Sequence, residues 1–288
     1  MGLKSTRKIL SIVFAVIISF SLAACVSCVV ETFTVSSRGF YEKHFSTQEL
    51  ADECDKQLTK KYTALSKKSN IPLEVFESVK KQYSTALSLK QAASYLFDEN
   101  DSTLNNDARL KYFYSICIEY LDANELNYSK KDVYNTCVEA SQIYSDTVGI
   151  HNLDYIKNDV DARNRDNTRK TSAFILSVAL CVVFTLFMYK KRLKGMMYIC
   201  SGIMGGGICV VVSSLLKLIF KVGTAYNVQP ECYSAVFSHM AKSYLLYEAI
   251  GGLVLLLVGI VTLFVVQRFI SRDEFRKNTR FYKVVEKL

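Results

Sequence analysis

Ile9-Leu-Ser-Ile-Val-Phe-Ala-Val-Ile-Ile-Ser-Phe-Ser-Leu-Ala-Ala-Cys-Val-Ser-Cys-Val-Val30 runs for 22 residues without a charge. A helix rises 1.5 Å per residue, so about 20 apolar residues cross roughly 30 Å of hydrocarbon. Inside lipid the backbone has no water to bond, and a helix satisfies its own groups within one segment. Three later runs have similar length and character: Thr171–Tyr189, Met196–Phe220 and Tyr244–Val266. The expected fold class is therefore all-α, with four transmembrane helices and an extracytoplasmic helical bundle between the first two. Half of the 288 residues are apolar and only two are proline, which excludes a disordered chain.

Charge orients the four runs. Lys4, Arg7 and Lys8 precede the first, and Lys190, Lys191, Arg192 and Lys194 separate the second from the third. Seven more bases, from Arg268 to Lys287, follow the fourth. If every run spans, all three basic segments share one side, which the positive-inside rule makes cytoplasmic. The expected order is a cytoplasmic N-terminus (1–8), span 1 (9–30), an extracytoplasmic domain (31–170) and span 2 (171–189). A basic loop (190–195), span 3 (196–220), an outer loop (221–243), span 4 (244–266) and a basic tail (267–288) follow. Residues 31–170 hold 19 basic and 22 acidic side chains, against 17 and 5 elsewhere, so the net +9 is a topology signal. Nucleic acid is not an expected partner, because the bases flank spans rather than forming a binding face. Lys217, one turn from the end of the third, is expected to be the one charge within the runs, which leaves the spans without the polar residues of a transport path. It is expected to snorkel to the interface and to have no channel role.

The first run has a rival reading. Leu22-Ala-Ala-Cys25 after a basic start matches a lipobox, which would lipidate Cys25 and remove the preceding segment. Against it, the apolar run continues past Cys25 to Val30. Either way residues 31–170 are expected outside.

Small residues line the spans. Ser11, Ala15, Ser19, Ala23 and Ser27 recur every four positions, and Ala173, Ser177 and Cys181 repeat the pattern. Gly202 and Gly206 form a GxxxG, and Gly251, Gly252 and Gly259 lie in the fourth run. Such stripes allow close helix approach. The expectation is packing of the four helices on one another; pairing of two copies or a hinge at Gly205–Gly207 are the alternatives.

From residue 46 to 170 the pattern is helical and no strand alternation occurs. Ser46-Thr-Gln-Glu49 reads as a capping box, with Leu50, Cys54, Leu58, Tyr62 and Leu65 following on one face. Pro72 is expected in the first turn of a second helix. Its apolar face is Val75, Phe76, Val79 and Tyr83, and a helical pattern resumes through Ala92, Ala93, Leu96 and Phe97. Leu110, Phe113, Cys117, Ile118 and Leu121 mark another helix; Val133, Cys137, Tyr144 and Val148 mark one that starts near Ser129 and ends at Gly149. Four to six helices are expected, enough for a core. The tyrosines here, Tyr112, Tyr114, Tyr120, Tyr128 and Tyr134, suit either the core edge or a binding surface.

Of nine cysteines, Cys54, Cys117, Cys137 and Cys232 are expected outside. They allow up to two disulfides, with Cys117–Cys137 favoured and Cys54–Cys232 the remaining pair, or else four buried thiols. His44, His151 and His239 lack metal-helix spacing, and no zinc, nucleotide, serine-hydrolase or calcium motif is present. Ser78-Val-Lys-Lys81 matches SxxK in form alone. No cofactor is expected.

Ser69-Asn-Ile-Pro-Leu-Glu-Val-Phe76 resembles a segment of uncharacterised four-span membrane proteins of Gram-positive bacteria. The resemblance implies architecture only. The span–helical domain–span portion also resembles chemoreceptor sensor domains, but no signalling domain follows span 2. The expected function is non-enzymatic: an outer helical domain that binds a partner or an unspecified ligand. Expected partners are the bilayer, another membrane protein or a second copy. The rivals are transport or conductance through spans 3 and 4, and a cell-envelope enzyme.

Overall fold

A computed structural model describes residues 3–95, 97, 106–149, 153–189, 192–221 and 231–285; residues 3–4, 153–156, 231–232 and 273–285 are described by backbone alone. The described residues are all-helical, without strands. Eleven helices follow in order. They are α1 (Leu3–Phe33), α2 (Arg38–Phe45), α3 (Gln48–Ser69), α4 (Leu73–Glu77), α5 (Val79–Gln82) and α6 (Thr85–Tyr95). Then come α7 (Asn106–Ala123), α8 (Lys130–Val148), α9 (Leu153–Met188), α10 (Arg192–Ile219) and α11 (Glu231–Val285). They form two compact units. One comprises residues 1–33, 164–222 and 242–288, and the other residues 34–163 and 223–241.

In the first unit, α1, α9, α10 and α11 each contain a stretch long and apolar enough to cross a membrane. Large apolar side chains such as Val16, Phe20, Leu176, Phe184, Leu257 and Phe264 stand exposed along them. Water would not tolerate so continuous an apolar belt, whereas lipid matches it. α10 is the most enclosed of the four, with 39% of its apolar window buried against 11% for α9. Its glycines are the reason. A Cβ on Gly202 would lie 2.9 Å from the Ala15 carbonyl oxygen of α1, and one on Gly206 3.0 Å from that of Ser19. On the other flank a Cβ on Gly207 would meet the Leu256 backbone of α11 at 2.6 Å. Backbone approach this close is the packing mode of small-residue faces. Gly205–Gly207 sit within an unbroken helix between two neighbours, the geometry of packing rather than of a hinge.

The second unit has its own core. Leu50, Cys54, Leu58, Tyr62 and Leu65 of α3 are buried, as are Phe113, Cys117 and Leu121 of α7 and Val133, Cys137, Tyr144 and Val148 of α8. Tyr112, Tyr114, Tyr120 and Tyr128 pack partly buried at its edge, whereas Tyr134 is largely exposed. The helix expected from Pro72 through Tyr83 is two, α4 and α5, and the pattern that resumes beyond it is α6. Pro72 stands just before α4 rather than inside its first turn, and the chain turns at Ser78 and again after Gln82. The expected capping box does not form: α3 begins after Thr47, whose hydroxyl donates to the His44 carbonyl at 3.2 Å. Asn70 ends α3 in the left-handed conformation (φ 57°), which its short polar side chain tolerates.

Part of the expected outer loop 221–243 is helix. From Glu231 the chain is α11, and Tyr233, Val236 and Met240 enter the core of the second unit. Tyr233 donates a hydrogen bond to the Val148 carbonyl, and Phe237 meets the Phe45 ring edge-on at 5.8 Å between centroids. The tail likewise continues as helix to Val285. His151 lies outside the described residues.

Candidate intramembrane polar site

Glu248 lies five residues into the fourth apolar run and is 2% exposed. It is a second charge within the runs, beside the Lys217 that the sequence reading singled out. An ionisable group at such a place is costly unless partnered, and marks a functional or structural polar site. Three helices supply the partners. Ser27 of α1 donates to one carboxyl oxygen at 2.5 Å, and fully buried Ser214 of α10 donates to the other at 2.9 Å. The Lys217 ammonium, one turn further along α10, stands 3.6 Å from the same oxygen as Ser214. Tyr244, one turn earlier on α11, is also in hydrogen-bonding contact with Glu248.

The spacing explains the assembly. Ser214 and Lys217 are three apart and Tyr244 and Glu248 four apart, so each pair shares a helix face. Lys217 is still 41% exposed, so its stem leaves the helix bundle while its head turns toward Glu248. The expectation that Lys217 merely snorkels is thereby corrected: it has a carboxylate partner. Glu248 also corrects the expectation that Lys217 is the one charge within the runs. Chemically the cluster is an acceptor ringed by donors, with opposite charges within ion-pair reach. It can clasp three helices together, and it can accept a proton or hold a cation in Lys217's place.

The structure brings several expected packing residues together and leaves others apart. Ser19 donates to both the Ala15 and Gly202 carbonyls at 2.9 Å, joining α1 to α10. Ser11 donates to the Arg7 carbonyl and lies 3.1 Å from the Tyr189 hydroxyl. Ser177 meets Ser21, not the stripe, at 3.3 Å. Ala23 is half-buried, while Ala173 is exposed. Cys25 sits mid-helix, and α1 runs through it without a break to Phe33.

In the second unit the Cys117 and Cys137 thiols are buried and in hydrogen-bonding contact, as two thiols. That contact, with burial, pushes Cys117 well above the usual thiol range. Cys54 is buried on α3, and the Cys232 side chain is outside the described residues. His44 and His239, remote in sequence, have ring centroids 5.5 Å apart. Ser78 donates to the Val75 carbonyl and Lys81 is exposed, so the SxxK pair forms no catalytic contact. Arg109 is buried, with its guanidinium 4.5 Å above the Tyr144 ring and bonded to Asn106 and Ser145. Its Nε has no partner among the described residues. Burial draws this cation below its usual range, while the nearby Tyr144, Tyr62 and Tyr83 hydroxyls oppose the shift. Among the described residues no three His, Cys, Asp or Glu side chains group as metal ligands.

Compared with protein-family models, curated proteins and solved structures, the chain gives no match.

Proposed function

We propose that this chain is a non-enzymatic multi-pass protein of the cell membrane that presents residues 31–170 outside the cell to bind a partner or ligand. Both termini are then cytoplasmic. The observation that carries the reading is the division of charge. The basic segments 4–8, 190–194 and 268–287 fall at one set of span ends, whereas 31–170 carries slightly more acid than base. The self-contained aromatic core of the second unit supports a domain that folds for recognition rather than as a linker. The uncleaved reading of the first run is supported by the fit of Ser19, Gly202 and Gly206, which uses α1 as a packed member of the bundle. In this reading Glu248 is a clasp that ties α1, α10 and α11.

One observation favours a second reading, transport or conductance: the Glu248–Lys217 pair itself. Reconstitution separates the two. Purified full-length chain in proteoliposomes, under imposed proton, sodium, potassium and chloride gradients, is expected to show leakage equal to protein-free vesicles. Flux that disappears in Glu248→Gln, with the helical signal intact, would replace the binding reading with the transport one.

A further inference from the structure

A cavity of about 580 Å³ opens within the first unit, away from Glu248. Its wall carries Arg7 and Lys8 of α1, Tyr189 just past α9, and Lys194, Tyr198 and Ser201 of α10, with Met197 and Ile270 adding an apolar side. The size lies in the range of small-ligand sites. Among the described residues three bases line it and no acid does. None of the three forms an ion pair among the described residues; Arg7 reaches only the Met188 carbonyl, at 3.5 Å. Tyr189 and Tyr198 stack with ring centroids 5.9 Å apart, holding both rings beside the bases.

Position along the helices narrows the ligand. Lys8 immediately precedes the first apolar run, Tyr189 closes the second, and Lys194 stands two residues before the third. Ile270 lies four residues beyond the fourth. The cavity thus sits where four spans leave hydrocarbon, the level of lipid phosphates and of interfacial tyrosines. Clustered bases attract an anion, hydroxyls add donors, and an apolar wall suits acyl chain rather than water.

We propose that this cavity seats the phosphate of an anionic phospholipid, with Lys8 and Lys194 as its charge partners and Met197 and Ile270 against the first methylenes of its chains. The same phosphate chemistry could be offered by free inorganic phosphate, and the apolar wall is the reason to assign the lipid. The inference rests on the four helices being spans, part of the reading above, but not on which side the second unit stands. A failed lipid titration therefore leaves the topology intact.

The test is a native mass-spectrometric titration of full-length chain in detergent micelles with phosphatidylglycerol, phosphatidylcholine and, separately, inorganic phosphate. Phosphatidylglycerol is expected to add as one tight equivalent, and phosphatidylcholine to bind at least tenfold more weakly. Lys8→Gln with Lys194→Gln should weaken phosphatidylglycerol about tenfold or more, given what each base contributes near a charged leaflet. Lys242→Gln, at the opposite ends of the spans, should leave it unchanged. Equal binding of the two lipids overturns the proposal. So does an unchanged affinity in a double variant that melts like the wild type. Displacement of phosphatidylglycerol by millimolar phosphate assigns the cavity to a soluble anion and overturns the lipid.

Discussion

Glu248 is buried, so its stabilisation must come from Ser27, Ser214 and Lys217. This residue was hidden in the sequence by averaging: one carboxylate in an apolar run of 23 residues hardly changes the run's character, and only its neighbours in space reveal its role. His44 was hidden for a related reason, since its partner ring His239 is remote in sequence. That Cys117 and Cys137 meet was legible, because each lies on the apolar face of a predicted helix and consecutive helices of a bundle meet along those faces; that they meet as thiols rather than as the favoured disulfide was not. His44 carries a prediction. Burial, and secondarily the charges of His239 and Lys43, hold its pKa below the usual value, while its bond to the Phe40 carbonyl opposes this. The folded state therefore binds fewer protons than the unfolded state, whose imidazole titrates near about 6.5. The contribution is present above that pH and is lost as pH falls through it toward the folded value. Thermal melts of the wild type and His44→Gln are expected to differ by a constant above about pH 7.5 and to converge below about 6.5. Parallel curves from pH 8 to 5 would show that His44 does not control the slope.

Helices were legible wherever a stripe of apolar residues repeated, because burial of one face stabilises a helix more than its propensity does. Their ends were not. Ser46-Thr-Gln-Glu49 has the residues of a capping box, yet the Thr47 hydroxyl turns back to the His44 carbonyl three residues earlier, and α3 starts after Thr47 rather than after Ser46. The single face from Val75 to Tyr83 conceals a break at Ser78, because a turn between short helices can keep apolar residues facing the same core. At the joint between α1 and α10 the small-residue reading can be tested directly. A Cβ at Gly206 already approaches the Ser19 carbonyl oxygen to 3.0 Å and Leu22 Cβ to 3.2 Å. Gly206→Leu must therefore drive the two helices apart, costing about 1–3 kcal/mol as overpacked cores do. The same enlargement at exposed Ala173 should cost close to nothing. Melting of the two variants in one detergent checks this. An unshifted Gly206→Leu would mean that α1 does not pack on α10 as described.

For the whole molecule, length and hydropathy were enough to read four candidate spans and an all-helical fold, because lipid permits few backbone solutions. They were not enough to read that residues 233–240 belong to the core of the second unit, since a segment of mixed polarity between two spans looks like a loop until its partners are known. The central claim is topological: residues 31–170 on one side, all three basic segments on the other. It is tested most directly by an impermeant thiol reagent on intact cells, applied to variants that keep one cysteine each, at Ser102, Lys194 or Asn278, in an otherwise cysteine-free chain. The account predicts labelling at 102 without permeabilisation, and at 194 and 278 only after it. Labelling of 194 or 278 in sealed cells, or protection of 102, would contradict it and remove the basis for an outer binding domain.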